Sequence, residues 1–388
     1  MKIIFKVILS YLLIIFNSYV SADSNSNNNI LKIGVLAPLS GELELIGKTI
    51  LYSTNLALHD IGDKKIKIYP VNYDSNKNKI SKACEKFRDK EVKIVIGPIE
   101  SKSLKKLDVC NDLIFLSLSN MSTNTQSNNI ITMGINLESQ LLAIKDFIEK
   151  NKKKKTVILY PDNEYTKHVE KNIKLINFKN SRTFKYSKDP EILTSQIEKL
   201  TNYKRRKINL EARIKKIENS DDPKDIREVN ELKQRYTLGD VNFDSVIIVD
   251  FGNGLKSVLT SLAYTDVLED KILIMSANQW FDKSILEESS IKKFYFPSIN
   301  LKNFIKFKEK FFNTYDYEAN EIAILAYDAF GLIYYFWKND LKMDTAISLN
   351  LKKEIKGKIG KFKIANNKVI QKLDIYKFEE GKFILSKL

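Results

Sequence analysis

The chain has 388 residues, of which 43% are hydrophobic and 29% charged, a balance typical of a globular protein that excludes wholesale disorder. The formal net charge is +16, but the excess is mostly lysine interleaved with acidic residues along the whole chain, and arginine clusters only at Arg205-Arg206. We interpret this charge as a mildly cationic surface and expect no nucleic-acid partner.

The N-terminus predicts export. Lys2 and Lys6 precede an apolar run over 7–16, and small residues follow at 20–22, which is the order of a cleavable secretory signal peptide over residues 1–22. The run is shorter than the roughly 20 residues of a membrane helix; an uncleaved anchor is the alternative. The signal has no lipobox cysteine. The expected location is therefore the periplasm, with no stable membrane insertion after cleavage.

From residue 31, short apolar runs alternate with amphipathic stretches, as in a parallel sheet whose strands are joined by helices. The first series has predicted strands at 31–39, 66–74, 92–99 and 113–119, and predicted helices at 46–61, 79–90 and 101–112. A short strand over 130–136 follows, and we expect a hinge near Thr132–Asn136. These elements predict one doubly wound lobe.

A second series has the same rhythm. It has predicted strands at 156–162, 243–251 and 271–277, and helices at 137–151, 163–178 and 254–264. From residue 299 the chain returns to helices, an amphipathic one over 301–316 and a buried one over 320–339, and it ends in short strands over 356–385. The predicted fold class is α/β, with two doubly wound, Rossmann-like lobes.

One segment departs from this rhythm. Residues 190–236 are highly charged, and we predict a helical hairpin insertion in lobe two, broken at 219–223 with Pro223 opening its second helix. Such hairpins usually stand in water, and we favour that interpretation. An arm that contacts a partner is the alternative.

Cys84 and Cys110 are the two cysteines of the chain. In an oxidising compartment an even pair can form a disulfide. Two buried free thiols are the interpretation favoured at this point, because the sequence does not reveal whether the two Cα atoms come within bonding distance.

No catalytic constellation is evident. His59 and His168 lie far apart with no cysteine or histidine nearby, so the ligand count excludes a zinc site. The chain has no phosphate-binding loop and no nucleophile elbow, and GNGLKS (252–257) lacks the third glycine of a dinucleotide fingerprint. We expect no catalytic residues, no metal and no cofactor, and therefore no enzyme.

Small polar and aromatic residues follow the predicted strands. Ligands of open α/β sheets bind beyond the carboxyl ends of parallel strands, where hydroxyls and helix N-termini favour an anion such as a carboxylate. The predicted ligand-binding residues are Ser40, Ser101, Ser117, Ser119, Asn120, Tyr165, Asp250 and Trp280. Helix capping is the alternative role for the serine, asparagine and aspartate side chains.

Several motifs resemble type 1 periplasmic binding proteins, the group of the branched-chain amino-acid receptors: IGVLAPLSG (33–41), VIGPIES (95–101), FLSLSN (115–120) and AYDAFGLIYY (326–335). The resemblance covers nearly the whole mature chain and implies two lobes, joined by a hinge of three strands, that close on a ligand. It implies lobe one at 31–132 and 299–356, and lobe two at 137–296 and 366–388. Ser117 and Ser119 match the ligand-holding hydroxyls of the receptors, and Tyr165 matches their cleft tyrosine.

Within that superfamily, LSLSN (116–120), YPDNEYTK (160–167), FDSVIIVD (243–250), SANQW (276–280) and the charged insertion most resemble penicillin-binding protein activators. This resemblance implies a regulator that contacts a peptidoglycan synthase. The alternative is a substrate-binding receptor that serves an ABC importer permease and binds an amino acid or a similar small anion. Thr166 stands where transport receptors usually carry glycine, which weakens that alternative.

Overall fold

The computed structural model describes residues 30–73, 77–121, 129–267, 269–277, 281, 284–285, 291–346 and 349–386, so the predicted signal peptide lies outside the described residues. The first elements are β1 (Leu31–Ala37), α1 (Glu44–Ile61), β2 (Ile66–Asn72), α2 (Lys77–Asp89), β3 (Ile94–Ile96), α3 (Ser101–Leu104), a 3-10 helix (Leu107–Cys110), β4 (Ile114–Ser117) and β5 (Ile130–Thr132).

The next series runs from residue 137 to residue 298. Its elements are α4 (Leu137–Lys150), β6 (Thr156–Pro161), α5 (Thr166–Ile176), β7 (Ser181–Tyr186), α6 (Pro190–Leu200), α7 (Tyr203–Ile217), α8 (Pro223–Leu232), β8 (Ser245–Val249), α9 (Gly252–Tyr264), β9 (Leu273–Ala277) and β10 (Lys293–Ser298).

Two long helices and a set of short strands complete the chain. They are α10 (Leu301–Tyr315), α11 (Glu321–Lys338), β11 (Leu351–Lys356), β12 (Lys361–Ala365), β13 (Lys368–Lys372), β14 (Asp374–Glu379) and β15 (Lys382–Leu385).

The strands form two sheets, one in each lobe. The first has the order β11-β12-β13-β5-β4-β3-β1-β2, and the second has the order β15-β14-β10-β9-β8-β6-β7. In each, the strands that alternate with helices are parallel, and the C-terminal strands pair antiparallel at one edge. The predicted α/β class with two lobes is confirmed.

Helices cover both faces of each sheet, so the central strands are buried throughout. All residues of β4, β6, β8 and β9 are buried. The helix α11 packs against α1, where the Ser53 hydroxyl donates to the Ala323 carbonyl. This accounts for a helix that is apolar on nearly every side. Among the described residues, no helix has both the length and the apolarity needed to cross a bilayer.

The chain passes between the lobes three times, at β5–α4, β10–α10 and β13–β14. The third crossing comes later than the sequence indicated. Residues 366–388 were assigned to lobe two, but β13 pairs with β12 and with β5 in the first sheet. The reason is the turn at Asn366-Asn367, whose positive φ angles of 52° and 58° close a tight hairpin and keep β13 beside β12.

The charged segment 190–236 also differs from its prediction, because it contains three helices. The first, α6, buries Leu193, Ile197 and Leu200 in the core of lobe two and so belongs to the lobe itself. The projecting hairpin is formed by α7 and α8, which have a small apolar cluster of their own.

The free-thiol interpretation is wrong, because Cys84 and Cys110 form a disulfide. The helix α2 lies beside the 3-10 helix, and both cysteines are fully buried with their Cα atoms 6.0 Å apart. The Arg88 guanidinium donates to both carboxylate oxygens of Asp112, at 2.9 and 2.6 Å, and joins the same two segments at the surface. The packing of these short elements therefore decided the pairing.

Candidate functional site

A cavity of about 380 Å³ lies between the lobes, beyond the carboxyl ends of β4, β6, β7 and β8. This is the position that the strand order predicts for a ligand. The described residues that line the cavity are Asn120, Met121, Ile135, Leu137, Gln140, Pro161, Asn163, Tyr165, His168, Val169, Lys188, Val249, Asp250 and Phe251. Both apolar and polar side chains face it, which suits a ligand with an apolar body and a few polar groups.

Asp250 is held at the base of this cleft. It follows β8 directly, and its carboxylate accepts hydrogen bonds from the Tyr186 hydroxyl at 2.7 Å and from the Phe251 N–H at 2.9 Å. Burial raises the pKa of Tyr186, and the nearby Asp250 charge raises it further, so this phenol remains a donor. The carboxylate lies against the start of α9, where a Cβ atom on Gly254 would come within 2.2 Å of it.

The loop after β6 presents Tyr165 to the cleft. Its geometry is local: the Asn163 side chain accepts from the Tyr165 N–H at 2.9 Å, and the Thr166 hydroxyl donates to the Pro161 carbonyl at 3.1 Å. Thr166 thus closes the loop at the position where transport receptors usually carry glycine. The Tyr165 side chain remains 46% exposed at the mouth of the cleft.

Lys188 and His168 are the basic side chains at the cavity. Lys188 forms no ion pair with any described residue, and it follows the carboxyl end of β7. Burial lowers the pKa of His168, and the charges of Lys171 and Lys368 lower it further, so the imidazole is neutral at pH 7. The positive charge in this cleft therefore comes from the lysine.

Ser117 and Ser119 are buried, and the structure does not place them on the cavity wall. The Ser117 hydroxyl donates to the Pro98 carbonyl at 2.7 Å and accepts from the Ser119 N–H at 3.2 Å. The Ser119 hydroxyl is 3.2 Å from both the N–H and the carbonyl of Met121. The two hydroxyls thus shape the loop that carries Asn120 and Met121 to the cleft.

Three other predicted site residues are also away from the lining or cannot be placed. Ser40 is exposed and accepts from the Asn72 side chain at 2.6 Å, and Ser101 is the first residue of α3. Neither caps its helix, because α1 and α3 have no side-chain cap. Trp280 lies outside the described residues. The structure therefore brings together Asn120, Tyr165 and Asp250.

Lys188 and Phe251 line the cleft although neither was predicted, and His168 lines it although a rim or surface position was predicted. Lys188 could have been found, since it follows a strand in the same way as the residues that were chosen. His168 lies three residues after Tyr165, on the same side of a helix. The sequence does not indicate that Ile135 and Leu137 line the cavity. Apolar residues at a cavity are indistinguishable from core residues in a sequence.

The polar side chains of the cleft are joined by hydrogen bonds to neighbouring groups. Among the described residues, no group of three or more His, Cys, Asp or Glu side chains could hold a metal ion. The Asp250 carboxylate accepts from the Tyr186 hydroxyl, and His168 Nε2 lies 3.4 Å from the amide nitrogen of Asn172. The cavity lining therefore offers one ammonium group, aromatic rings and side-chain amides beside apolar side chains.

Comparisons with known proteins agree with this architecture. Residues 30–177 match the family model described as periplasmic binding protein. The C-domain of LpoA (YraM) from Haemophilus influenzae, a regulator of PBP1A, has a TM-score of 0.60 at 14% identity, over 92% of this chain and 100% of that domain. Full-length LpoA has a TM-score of 0.61 at 15% identity, and the match covers 92% of this chain but 59% of LpoA.

A transport protein has a similar fold. The branched-chain amino acid transporter substrate binding protein LivJ from Streptococcus pneumoniae, in complex with isoleucine, has a TM-score of 0.53 at 16% identity, over 91% of this chain and 97% of that one. A search of curated protein sequences gave no match. At these identities the likenesses establish the fold alone.

Proposed function

Because residues 30–177 carry a periplasmic binding protein domain and the whole described chain has the type 1 periplasmic binding fold, we propose that this protein is an exported, non-catalytic regulator of peptidoglycan synthesis. It acts by contacting a synthase rather than by transporting a solute. The disulfide supports export, since such bonds persist in oxidising compartments.

The main support for this proposal comes from the hydrogen bonds of the Ser117 and Ser119 hydroxyls. They match the groups that hold the ligand in transport receptors, but here both are engaged by backbone groups, Ser117 by the Pro98 carbonyl of the neighbouring loop and Ser119 by Met121. A cleft that has lost these two donors is a poor amino-acid site, because a buried ligand carboxylate requires hydrogen-bond partners. The likeness to the whole C-domain of LpoA, a regulator of PBP1A, supports the same choice.

The α7–α8 hairpin is the proposed contact arm. Its base is rigid: the buried Arg206 guanidinium donates to the carbonyls of Gly239, Thr265 and Asp266 at 2.9 to 3.2 Å. The hairpin and the segment that follows it expose Ile208 by 62%, Ile226 by 49% and Tyr236 by 69%. Isolated apolar side chains on a rigid, charged arm are suited to protein contact.

Excising the arm tests this assignment. The Leu238 N–H donates to the Arg206 carbonyl at 3.0 Å, so the two ends of the hairpin already lie side by side. Replacing residues 207–236 with two glycines should leave both lobes folded. We expect this variant to lose binding to the peptidoglycan synthase of the source organism, measured with purified proteins, and to lose any stimulation of peptidoglycan synthesis.

A second variant keeps the hairpin and changes its surface: Ile208→Ser, Ile226→Ser and Tyr236→Ser. Its matched control is Lys204→Gln with Lys207→Gln on the same helix, which leaves the apolar side chains in place. Weaker synthase binding by the serine variant, with the control unchanged, supports the arm. Synthase binding that survives the excision rules the arm out.

One observation favours a solute receptor as a second candidate. Lys188 lies in the interlobe cavity without an ion pair among the described residues, and a buried carboxylate or similar small anion would neutralise it. The partner would then be an importer permease. A ligand test separates the two candidates, because a solute receptor is stabilised by the ligand that it binds.

A further inference from the structure

A second polar cavity lies in lobe one, away from the cleft. It has a volume of about 160 Å³ and lies where the end of α1, the helices α10 and α11 and the β11–β12 turn meet. Its polar lining residues are Asp60, Asn303, Lys306, Lys310, Tyr327 and Lys358. An adjoining groove of about 510 Å³ shares three of them, Asn303, Tyr327 and Lys358, and adds Tyr335 and Lys356.

The turn that carries Lys358 is rigidly held. The buried Asp328 carboxylate of α11 accepts from the N–H groups of Lys358 and Ile359, both at 2.8 Å. Gly357 permits this approach, since a Cβ atom there would lie 2.3 Å from the carboxylate. The Lys358 ammonium is consequently placed 5.7 Å from the centre of the Tyr327 ring. This cation belongs to a preformed wall rather than to a mobile loop.

The charges around the cavity do not cancel. The Asp60 carboxylate is already neutralised, because it accepts from the Lys310 ammonium at 2.5 Å and from the Tyr327 hydroxyl at 2.7 Å. Lys306 and Lys358 form no ion pair with any described residue. Two ammonium groups therefore remain available on the cavity wall.

The neighbouring sheet edge adds positive charge. The register of β11, β12 and β13 places Lys356 opposite Lys361, and Lys361 opposite Lys372. All three are exposed, and none is ion-paired within the described part of the chain. Like charges directly opposite one another are destabilising in a sheet. These three lysines therefore add positive charge to this end of the lobe.

We propose that the cavity binds the phosphate group of a phosphate ester, whose uncharged body lies in the adjoining groove. A dianionic phosphate matches two unpaired ammonium groups better than a monoanionic carboxylate does, and lysine binds phosphate as a point charge. The aromatic side chains of Tyr327 and Tyr335 and the apolar Leu332 line the groove and suit a ring or sugar.

The test uses the full mature chain and three probes: inorganic phosphate, phenyl phosphate, and phosphatidylcholine vesicles with or without phosphatidic acid. The variant is Lys306→Gln with Lys358→Gln, and the matched control is Lys204→Gln with Lys207→Gln on α7. We expect phenyl phosphate to bind more tightly than inorganic phosphate, and the cavity variant to bind at least about tenfold more weakly, in calorimetry at low salt.

Each outcome decides the proposal. Binding of soluble phenyl phosphate that is lost in the cavity variant identifies a free phosphate ester as the ligand. Binding to phosphatidic acid vesicles alone, again lost in the variant, identifies a lipid headgroup. If no probe binds, or if the cavity variant binds as tightly as the control variant, the site does not exist. All substituted lysines are exposed, so loss of folding does not explain a loss of binding.

Discussion

Asp328 is buried and has fixed hydrogen-bond partners. Its titration therefore gives a clear test of how ionisation changes the stability of the fold. Burial raises its pKa to about 6, although the N–H groups of Ile359 and Lys358 stabilise the carboxylate. The usual pKa of an aspartate is about 4. The folded protein therefore holds this proton more tightly than the unfolded chain does.

This pKa difference predicts a pH dependence of stability. As the pH rises from about 4 to about 6, the unfolded chain ionises Asp328 first, so the free energy of unfolding falls by about 2 kcal/mol through this group. The Asp328→Asn variant should lack that decrease. The measurement is urea unfolding of both proteins between pH 4 and pH 7.

The slope is the readout, because the asparagine also loses one hydrogen bond to the turn and so changes the absolute stability at every pH. Other carboxylates with shifted pKa values, such as Asp60 and Asp112, are common to both proteins and cancel in the comparison. Parallel stability curves for the two proteins would contradict the assignment.

At the scale of secondary-structure elements, the disulfide joins α2 to the 3-10 helix by a covalent bond. Cys84 and Cys110 are 26 residues apart in sequence, and a closed loop of that length stabilises a fold by about 3 kcal/mol in the chain-entropy view. The double variant Cys84→Ser with Cys110→Ser should lose about that much free energy of unfolding.

Reductant provides the control for this prediction. Dithiothreitol should destabilise the wild-type protein toward the value of the double serine variant, and it should leave the variant itself unchanged. Two free thiols per chain, titrated in denaturant without reductant, would show that the two cysteines are not bonded in solution.

At the scale of the whole molecule, the chain joins the two lobes at three crossings. At one of them the Gln371 amide donates to the carbonyls of Met133 and Gly134, at 3.0 and 3.2 Å, and accepts from the Ser139 hydroxyl at 2.8 Å. The Asn136 amide donates to the Val369 carbonyl at 2.6 Å. These buried bonds join β13 to the crossing, so closure must bend a hydrogen-bonded unit.

The two candidate functions differ at this scale. A solute receptor closes on its ligand, and a ligand present at a hundred times its Kd adds about 2.7 kcal/mol to stability. As a regulator, the protein should show no shift of its melting temperature with a library of amino acids, because the Ser117 and Ser119 hydroxyls are engaged. A shift that disappears in Lys188→Gln would establish the receptor instead.

The sequence by itself determined the α/β class, the two lobes and the family resemblance, because these follow from local periodicity and from short motifs. It also located Asn120, Tyr165 and Asp250 at the cleft, since carboxyl ends of parallel strands meet at one edge of a sheet. Only the tertiary structure decided the disulfide, the sheet to which β13 belongs and the engagement of the two serine hydroxyls. Each of these three features depends on contacts between segments that are distant in sequence, or on the geometry of a loop. No local pattern in a single sequence gives the distances between such segments.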